Sequence, residues 1–341
     1  MVRQIRTVLV GLGNVNLGLL QILQDKEKEI ANKHNLHFKI VGIVDSTGLA
    51  IRSGGFKYKE IINFKYNKKK VNEITEFLPT DIEKLHECVE ADLLIESSPV
   101  KLETDNPCLT MLNNAVKAGW NVVLANKGPL VLAFDELMER AQENDSKIRY
   151  SATVCGGLPV INVLQRDLKF ATAESLWGIF NATSNYVLQE MEKGNSMEDA
   201  IKVAKEIGAA ETDPTLDLSG QDTANKLFII MRSFTDFEGS IDDIEIEGIQ
   251  KISKDEIKKS TAAKTKIKLV AAAHKKNGHW KLSVKPTLVA RDSFMGSCNG
   301  WEMGIEIKTD LYESISMKNA EADPKGTSAA VLRDMIDISG A

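Results

Sequence analysis

Short apolar runs alternate with amphipathic stretches through the first half of the chain. TVLVGLG reads as a buried strand, and LGLLQILQDKEKEIANKHN follows with helical spacing. KIVGIVDS, ADLLIES, NVVLAN and KIRYSA predict further strands, with helices over PCLTMLNNAVKAG and FDELMERAQEND. Apolar runs without alternation fit strands covered on both faces. Strands alternating with helices predict a parallel sheet between helical layers. The lysine-rich stretch 53–84 breaks this rhythm and reads as a surface excursion with short helices, its Lys68-Lys69-Lys70 run a solvated face. After Thr153 helical patterns run to about Phe234. SIDDIEIEGIQKIS, KIKLVAAAHK, HWKLSVKPTLVA and MGIEIKTDLYESISMKN then predict a second, mostly antiparallel sheet, and GTSAAVLRDMIDI a closing helix.

Composition narrows the classes. A chain of 341 residues has room for two domains with sizeable cores. A formal net charge of -5 argues against a phosphate-backbone binder, so no nucleic acid partner is expected. No run approaches the roughly 18 apolar residues that span a bilayer, so no membrane partner is expected either. Cys88, Cys108, Cys155 and Cys298 lie far apart with no CxxC pair. Reduced thiols in a cytoplasmic protein are the simplest reading, and no metal site is predicted.

LVGLGNVNLGLL places Gly11-x-Gly13-x-x-Asn16 directly after a strand and at the start of a helix. The first glycine permits a tight turn. The second lets a pyrophosphate approach free N–H groups at the helix N-terminus, beside Asn14 and Val15. Asn16 and then Gly18 stand where a third glycine would allow close packing. With Asp45 ending the second strand, the context is that of dinucleotide binding. Asp45 suits a ribose 2′-hydroxyl and so NAD(H). Ser46 and Arg52, with Lys57, suit a 2′-phosphate and so NADP(H). Both alternatives stay open. The fold class is therefore α/β: a Rossmann-type dinucleotide-binding domain over 1–152, an α+β domain with a second, mostly antiparallel sheet over 153–310, and a C-terminal segment 311–341 returning to the first domain.

Two more strands end in polar groups. LIESSPV offers Ser97 and Ser98 to the nicotinamide end of a cofactor, and NVVLANKGPLVL presents Lys127, at the carboxyl edge where α/β sheets place ligands. Further on, ETDPTLDLSGQDTANK sets Glu211, Asp213, Asp217 and Asp222 ahead of Lys226. Asp222 and Lys226 share one helix face. An exposed pair of this kind contributes only about 0.3–0.5 kcal/mol. The alternative is a lysine held over a substrate, with the other carboxylates accepting from a cationic group.

AKEIGAAETDPTLDLSGQDTANK resembles the signature of homoserine dehydrogenase, with Gly208, Glu211, Asp213-Pro214, Asp217, Gly220, Asp222 and Lys226 in place. GIFNATSNYVL is similar to that family's substrate loop, SATVCGGLPV to its interdomain turn and ANKGPL to its lysine loop. The resemblance spans nearly the whole chain without an aspartokinase or ACT region. Asn16, Ala209, Ser151 and KNAEADPKGTS depart from the family pattern. The resemblance implies NAD(P)-dependent interconversion of L-homoserine and L-aspartate 4-semialdehyde in threonine, methionine and isoleucine biosynthesis. It implies catalytic roles for Lys127 and Lys226, with Asp222 orienting the latter. Glu211 and Asp217 would hold the substrate ammonium, and Thr183 its other end. It also implies that the second domain binds substrate and forms a homodimer. A monovalent cation near Val154–Leu158 is put in doubt by Ser151. Two alternatives stand beside this: an acylating semialdehyde dehydrogenase using Cys155, for which no histidine lies in a pairing motif, and a non-catalytic sensor of nucleotide and amino acid.

Overall fold

The computed structural model describes residues 2–103, 106–206 and 213–340. They form two units, one of residues 1–157 with 324–341 and one of 158–323.

The first unit is built on seven strands: β1 (Arg3–Val10), β2 (Leu36–Asp45), β3 (Gly48–Phe56), β4 (Phe77–Leu78), β5 (Leu93–Glu96), β6 (Asn121–Leu124) and β7 (Ile148–Arg149), in the order β4-β3-β2-β1-β5-β6-β7. From β2 to β7 the neighbours run parallel, and their runs are buried as the lack of alternation implies. The edge departs from the expected parallel pattern: β3 and β4 pair antiparallel. Part of the presumed surface excursion is thus a strand. GLAIRSGGF lacks an apolar run because only the two-residue β4 lies outside β3, and Ser53 and Gly54 beyond that pairing face solvent.

Helix α1 (Asn14–His34) buries Leu19, Leu20, Leu23 and Ile30 in this core. Helix α2 (Pro107–Lys117) begins with proline in its first turn, and Asn106 caps it by accepting from Cys108 N at 3.0 Å. Helix α3 (Gly128–Glu143) starts immediately after Lys127. The C-terminal helix, Lys325–Gly340, adds Val331, Leu332, Met335 and Ile338 to the same core.

The second unit carries β8 (Ala173–Ile179), β9 (Ile244–Ile246), β10 (Thr265–Lys276), β11 (His279–Ala290), β12 (Glu302–Thr309) and β13 (Ile315–Ala320), in the order β13-β12-β8-β10-β11-β9. All pairs are antiparallel except β9 with β11. The long β10–β11 hairpin turns at Asn277-Gly278, where both residues take positive φ (51° and 81°), as a tight two-residue hairpin requires. Because β13 belongs to this sheet, the segment rejoining the first unit begins at Pro324, later than residue 311.

Helix α4 (Ala182–Glu192) is pinned to this sheet by polar contacts. Asn185 donates to the Gly300 and Glu302 carbonyls at 2.9 and 3.0 Å, and Tyr186 stacks on Trp301 with centroids 4.2 Å apart. Lys268, buried on β10, donates to Asn185 Oδ1 at 2.7 Å and to the Cys298 carbonyl at 2.6 Å. Burial pushes its ammonium down to about 8. Helix α5 (Gln221–Phe234) follows Gly220, whose φ of 84° turns the chain into it.

Candidate functional site

In the first unit the glycine loop is set by steric limits. Gly11 takes φ +80°, and a Cβ there would lie 2.8 Å from the Ser97 carbonyl and Ser98 N. At Gly13, which is exposed, a Cβ would meet nothing within 4 Å, and no side chain caps α1. Asn14 is exposed and Val15 half-buried in the helix's first turn. Open space above uncapped helix amides fits an anionic pyrophosphate, so these residues suit an NAD(P) cofactor.

Asn16 explains its place in the fingerprint. Its side chain is wholly buried, and Nδ2 donates to the Gly11 carbonyl at 2.7 Å and the Val10 carbonyl at 3.2 Å. The amide ties the loop to the end of β1. Close packing falls instead to Gly18, where a Cβ would come within 2.5 Å of Ser328 Oγ on the C-terminal helix. Ser328 Oγ in turn donates to the Val15 carbonyl at 2.8 Å.

Asp45 ends β2 with Ser46 exposed beside it. Asp45 Oδ1 accepts from Thr47 N at 2.8 Å, and Oδ2 from Val71 N at 3.0 Å. Arg52 is not brought to them. The antiparallel register sets Gly48 beside Asp45 and Ile51 beside Gly42, which carries Arg52 away from the carboxyl end of β2. Its guanidinium instead bonds Glu76 at 2.8 Å and both Glu60 oxygens at 2.7 and 2.8 Å. Those bonds hold both carboxyls below the usual range. Arg52 thus leaves the candidate cofactor set.

Ser97 and Ser98 follow β5. Ser97 N donates to the Val10 carbonyl at 2.9 Å, and Ser97 Oγ lies 3.3 Å from the Gly11 carbonyl. Lys127 is half-buried at the entry to α3, beside Asn126, whose Oδ1 accepts from Gly128 N at 2.9 Å. Ser97, Ser98 and Lys127 therefore leave the ends of adjacent strands, β5 and β6, the first and second strands beyond β1.

In the second unit the carboxylates gather around one amide. Asn181, just before α4, donates through Nδ2 to Asp217 Oδ1 at 2.6 Å and Asp222 Oδ2 at 2.8 Å. Its own Oδ1 caps the helix by accepting from Ser184 N at 2.8 Å. Lys226 Nζ lies 2.7 Å from Asp222 Oδ2 and donates to the Phe180 carbonyl at 2.7 Å. Side-chain exposures of 13% for Lys226 and 10% for Asp222 rule out the exposed surface pair. Thr183 lies buried in the first turn of α4, next to this cluster in sequence. Asp213 stands apart in an exposed turn, accepting from Thr215 N at 3.1 Å. Glu211 and Ala209 lie outside the described residues.

Asn181 stands in GIFNATSNYVL, the stretch similar to the family's substrate loop, but the sequence assigns it no contact with the carboxylates; its local signal is that of a residue suited to capping before ATSNYVL. Ser151, the departure near the doubtful cation site, is engaged by protein groups: its N and Oγ donate to Asp334 at 2.8 and 2.7 Å, and Arg333 donates to Oγ at 3.0 Å. Cys155 is fully buried at φ 54° in its turn, a packing position rather than an accessible thiolate. Among the described residues no helix is long and apolar enough to cross a membrane.

Comparison with known proteins places the chain by family and fold. The profile described as homoserine dehydrogenase matches residues 159–336, and that of the homoserine dehydrogenase NAD binding domain matches residues 11–151. A homoserine dehydrogenase of Methanocaldococcus jannaschii is 35% identical over 334 residues, covering 97% of each chain. Among solved structures, homoserine dehydrogenase from Thermoplasma acidophilum superposes with a TM-score of 0.86 at 26% identity, covering 99% of this chain and 100% of that one. A hyperthermophilic archaeal homoserine dehydrogenase in complex with NADPH gives 0.84 at 26% identity, covering 99% and 98%.

Proposed function

The chain belongs to the homoserine dehydrogenase family, an NAD(P)-dependent oxidoreductase family, and on that premise we propose how its own residues interconvert L-homoserine and L-aspartate 4-semialdehyde. The observation that carries the proposal is the buried Asp222–Lys226 pair, bridged to Asp217 by Asn181.

Gly11, Gly13, Asn14 and Val15 receive the pyrophosphate, Asp45 and Ser46 the ribose, and Ser97 and Ser98 the nicotinamide end. Asp45 at the end of β2, with Arg52 turned to Glu60 and Glu76, supports a 2′-hydroxyl over a 2′-phosphate. Bound NAD(P)(H) supplies or accepts the hydride. Asp217 and Glu211 hold the substrate ammonium, and Thr183 steadies its other end. As the aldehyde is reduced, negative charge grows on its oxygen. Lys226, fixed by Asp222 and the Phe180 carbonyl, stabilises that charge together with Lys127, and one of the two ammonium groups delivers the proton. In the oxidative direction the same amine takes the hydroxyl proton. The buried Cys155 does not favour the acylating alternative, and the engaged Ser151 supports a reaction without a monovalent cation.

We further take the protein to act in the cytoplasm as a homodimer joined through the six-stranded sheet. Partly buried Trp177, Val289 and Phe294 support that face.

Oxidation of L-homoserine by the purified protein, followed as reduced nicotinamide with NAD+ and NADP+ in turn, tests the reading. Turnover with both and a lower KM for NAD+ is expected. No homoserine-dependent reduction of either cofactor would overturn it.

A further inference from the structure

We propose that Glu96 is a positioning residue, held as a neutral carboxylic acid, whose proton keeps the Ser97–Ser98 turn seated against the glycine loop. This deepens the reading above and rests on Gly11–Val15 being the cofactor loop.

Glu96 ends β5 with no exposed surface. Its Oε1 accepts from Ser98 N at 2.9 Å. The carboxyl faces the Cys108 thiol and the Asn126 amide, yet Oε2 completes no hydrogen bond. Its partners across the sheet are apolar: Val10 on β1 and Leu124 on β6. Helix α2 offers only the Cys108 thiol, itself held protonated by burial and by facing Glu96. A carboxylate sealed from water with one oxygen unpaired is a poor anion. A proton removes the charge. Burial accordingly pushes Glu96 up to about 7, against the opposing pull of the neighbouring Ser98, Cys108 and Asn126.

The turn that Glu96 holds touches the cofactor loop directly. The Ser97 carbonyl and Ser98 N lie 2.8 Å from where a Gly11 Cβ would stand, and Ser97 N bonds the Val10 carbonyl. On its other side Asn126 Nδ2 reaches Ser98 Oγ at 3.4 Å while Asn126 Oδ1 holds Gly128 N, next to Lys127. Loss of the proton leaves a buried anion that is relieved by opening this turn to water. Glu96 thus acts on the cofactor through Ser98 and Asn126.

The test is the dissociation constant for NADH and NADPH, each titrated by fluorescence across pH 6 to 8, for the wild type, Glu96→Gln and Glu96→Ala. The wild type is expected to weaken several-fold as pH rises through about 7. Glu96→Gln, a neutral group of the same shape, should stay flat near the wild-type value at low pH. Glu96→Ala should bind weakly throughout. A wild-type curve that is tight and flat overturns the role of Glu96 alone, whether or not the variants fold. A Glu96→Gln curve that keeps the wild-type inflection overturns it too. Failure of the wild type to bind either cofactor at any pH overturns the cofactor loop itself, and this inference with it.

Discussion

Asn181 organises the candidate substrate pocket: one side chain caps α4 and separates two carboxylates that would otherwise repel each other. The pairing of Asp222 with Lys226 was legible from their spacing on a helix. Their burial was not, because it depends on Asn181 and the Phe180 carbonyl, which reach the pair from more than forty positions earlier. Glu96 was quoted at a strand end, but nothing in LIESSPV says that its carboxyl is sealed from water. That burial has a measurable consequence for stability. The pKa of Glu96 rises from an ordinary 4.5 to about 7 on folding. The stability that goes with the neutral form is therefore complete below the unfolded value and is lost as pH rises through about 7. Glu96→Gln should gain on the wild type over that window, by on the order of 3 kcal/mol between pH 4.5 and pH 8. Urea unfolding at the two pH values measures it, and an equal difference at both would contradict the burial argument.

Elements built on long apolar runs were legible: β1, β2, β5 and β6 lie where the pattern puts them, as do α1 and α3. β3 was missed because its glycines, serine and arginine interrupt the run on a strand covered on its outer side only by the two-residue β4. KIRYSA yields only Ile148–Arg149 as strand before the chain turns at Ser151–Thr153. The displaced glycine of the fingerprint also becomes intelligible here. Asn16 locks the loop by hydrogen bonds, and Gly18 lets the C-terminal helix lie against α1. A leucine at Gly18 would meet Ser328 and drive the two helices apart. Gly18→Leu is expected to destabilise the protein by about 1–3 kcal/mol, the usual range for overpacking. A denaturation midpoint at or above wild type would show that the helices do not need this approach.

For the molecule as a whole, the two-unit plan was legible and the return of the chain was placed too early. MGIEIKTDLYESISMKN holds two strands of the second sheet, so only the last helix comes back to the first unit. The glycine loop and Lys127 belong to the first unit, and the Asp217–Asn181–Asp222–Lys226 cluster to the second. The central claim is that the Lys226 ammonium, held by Asp222, manages charge and proton at the reacting oxygen. The most direct measurement is single-turnover oxidation of L-homoserine by the wild type and by Lys226→Met, the latter alone and with Asp222→Asn to avoid stranding a buried anion. With native circular dichroism, both variants should lose about 10²-fold or more in the chemical step, while cofactor affinity stays within a few-fold. A folded Lys226→Met protein that turns over at the wild-type rate would contradict the account.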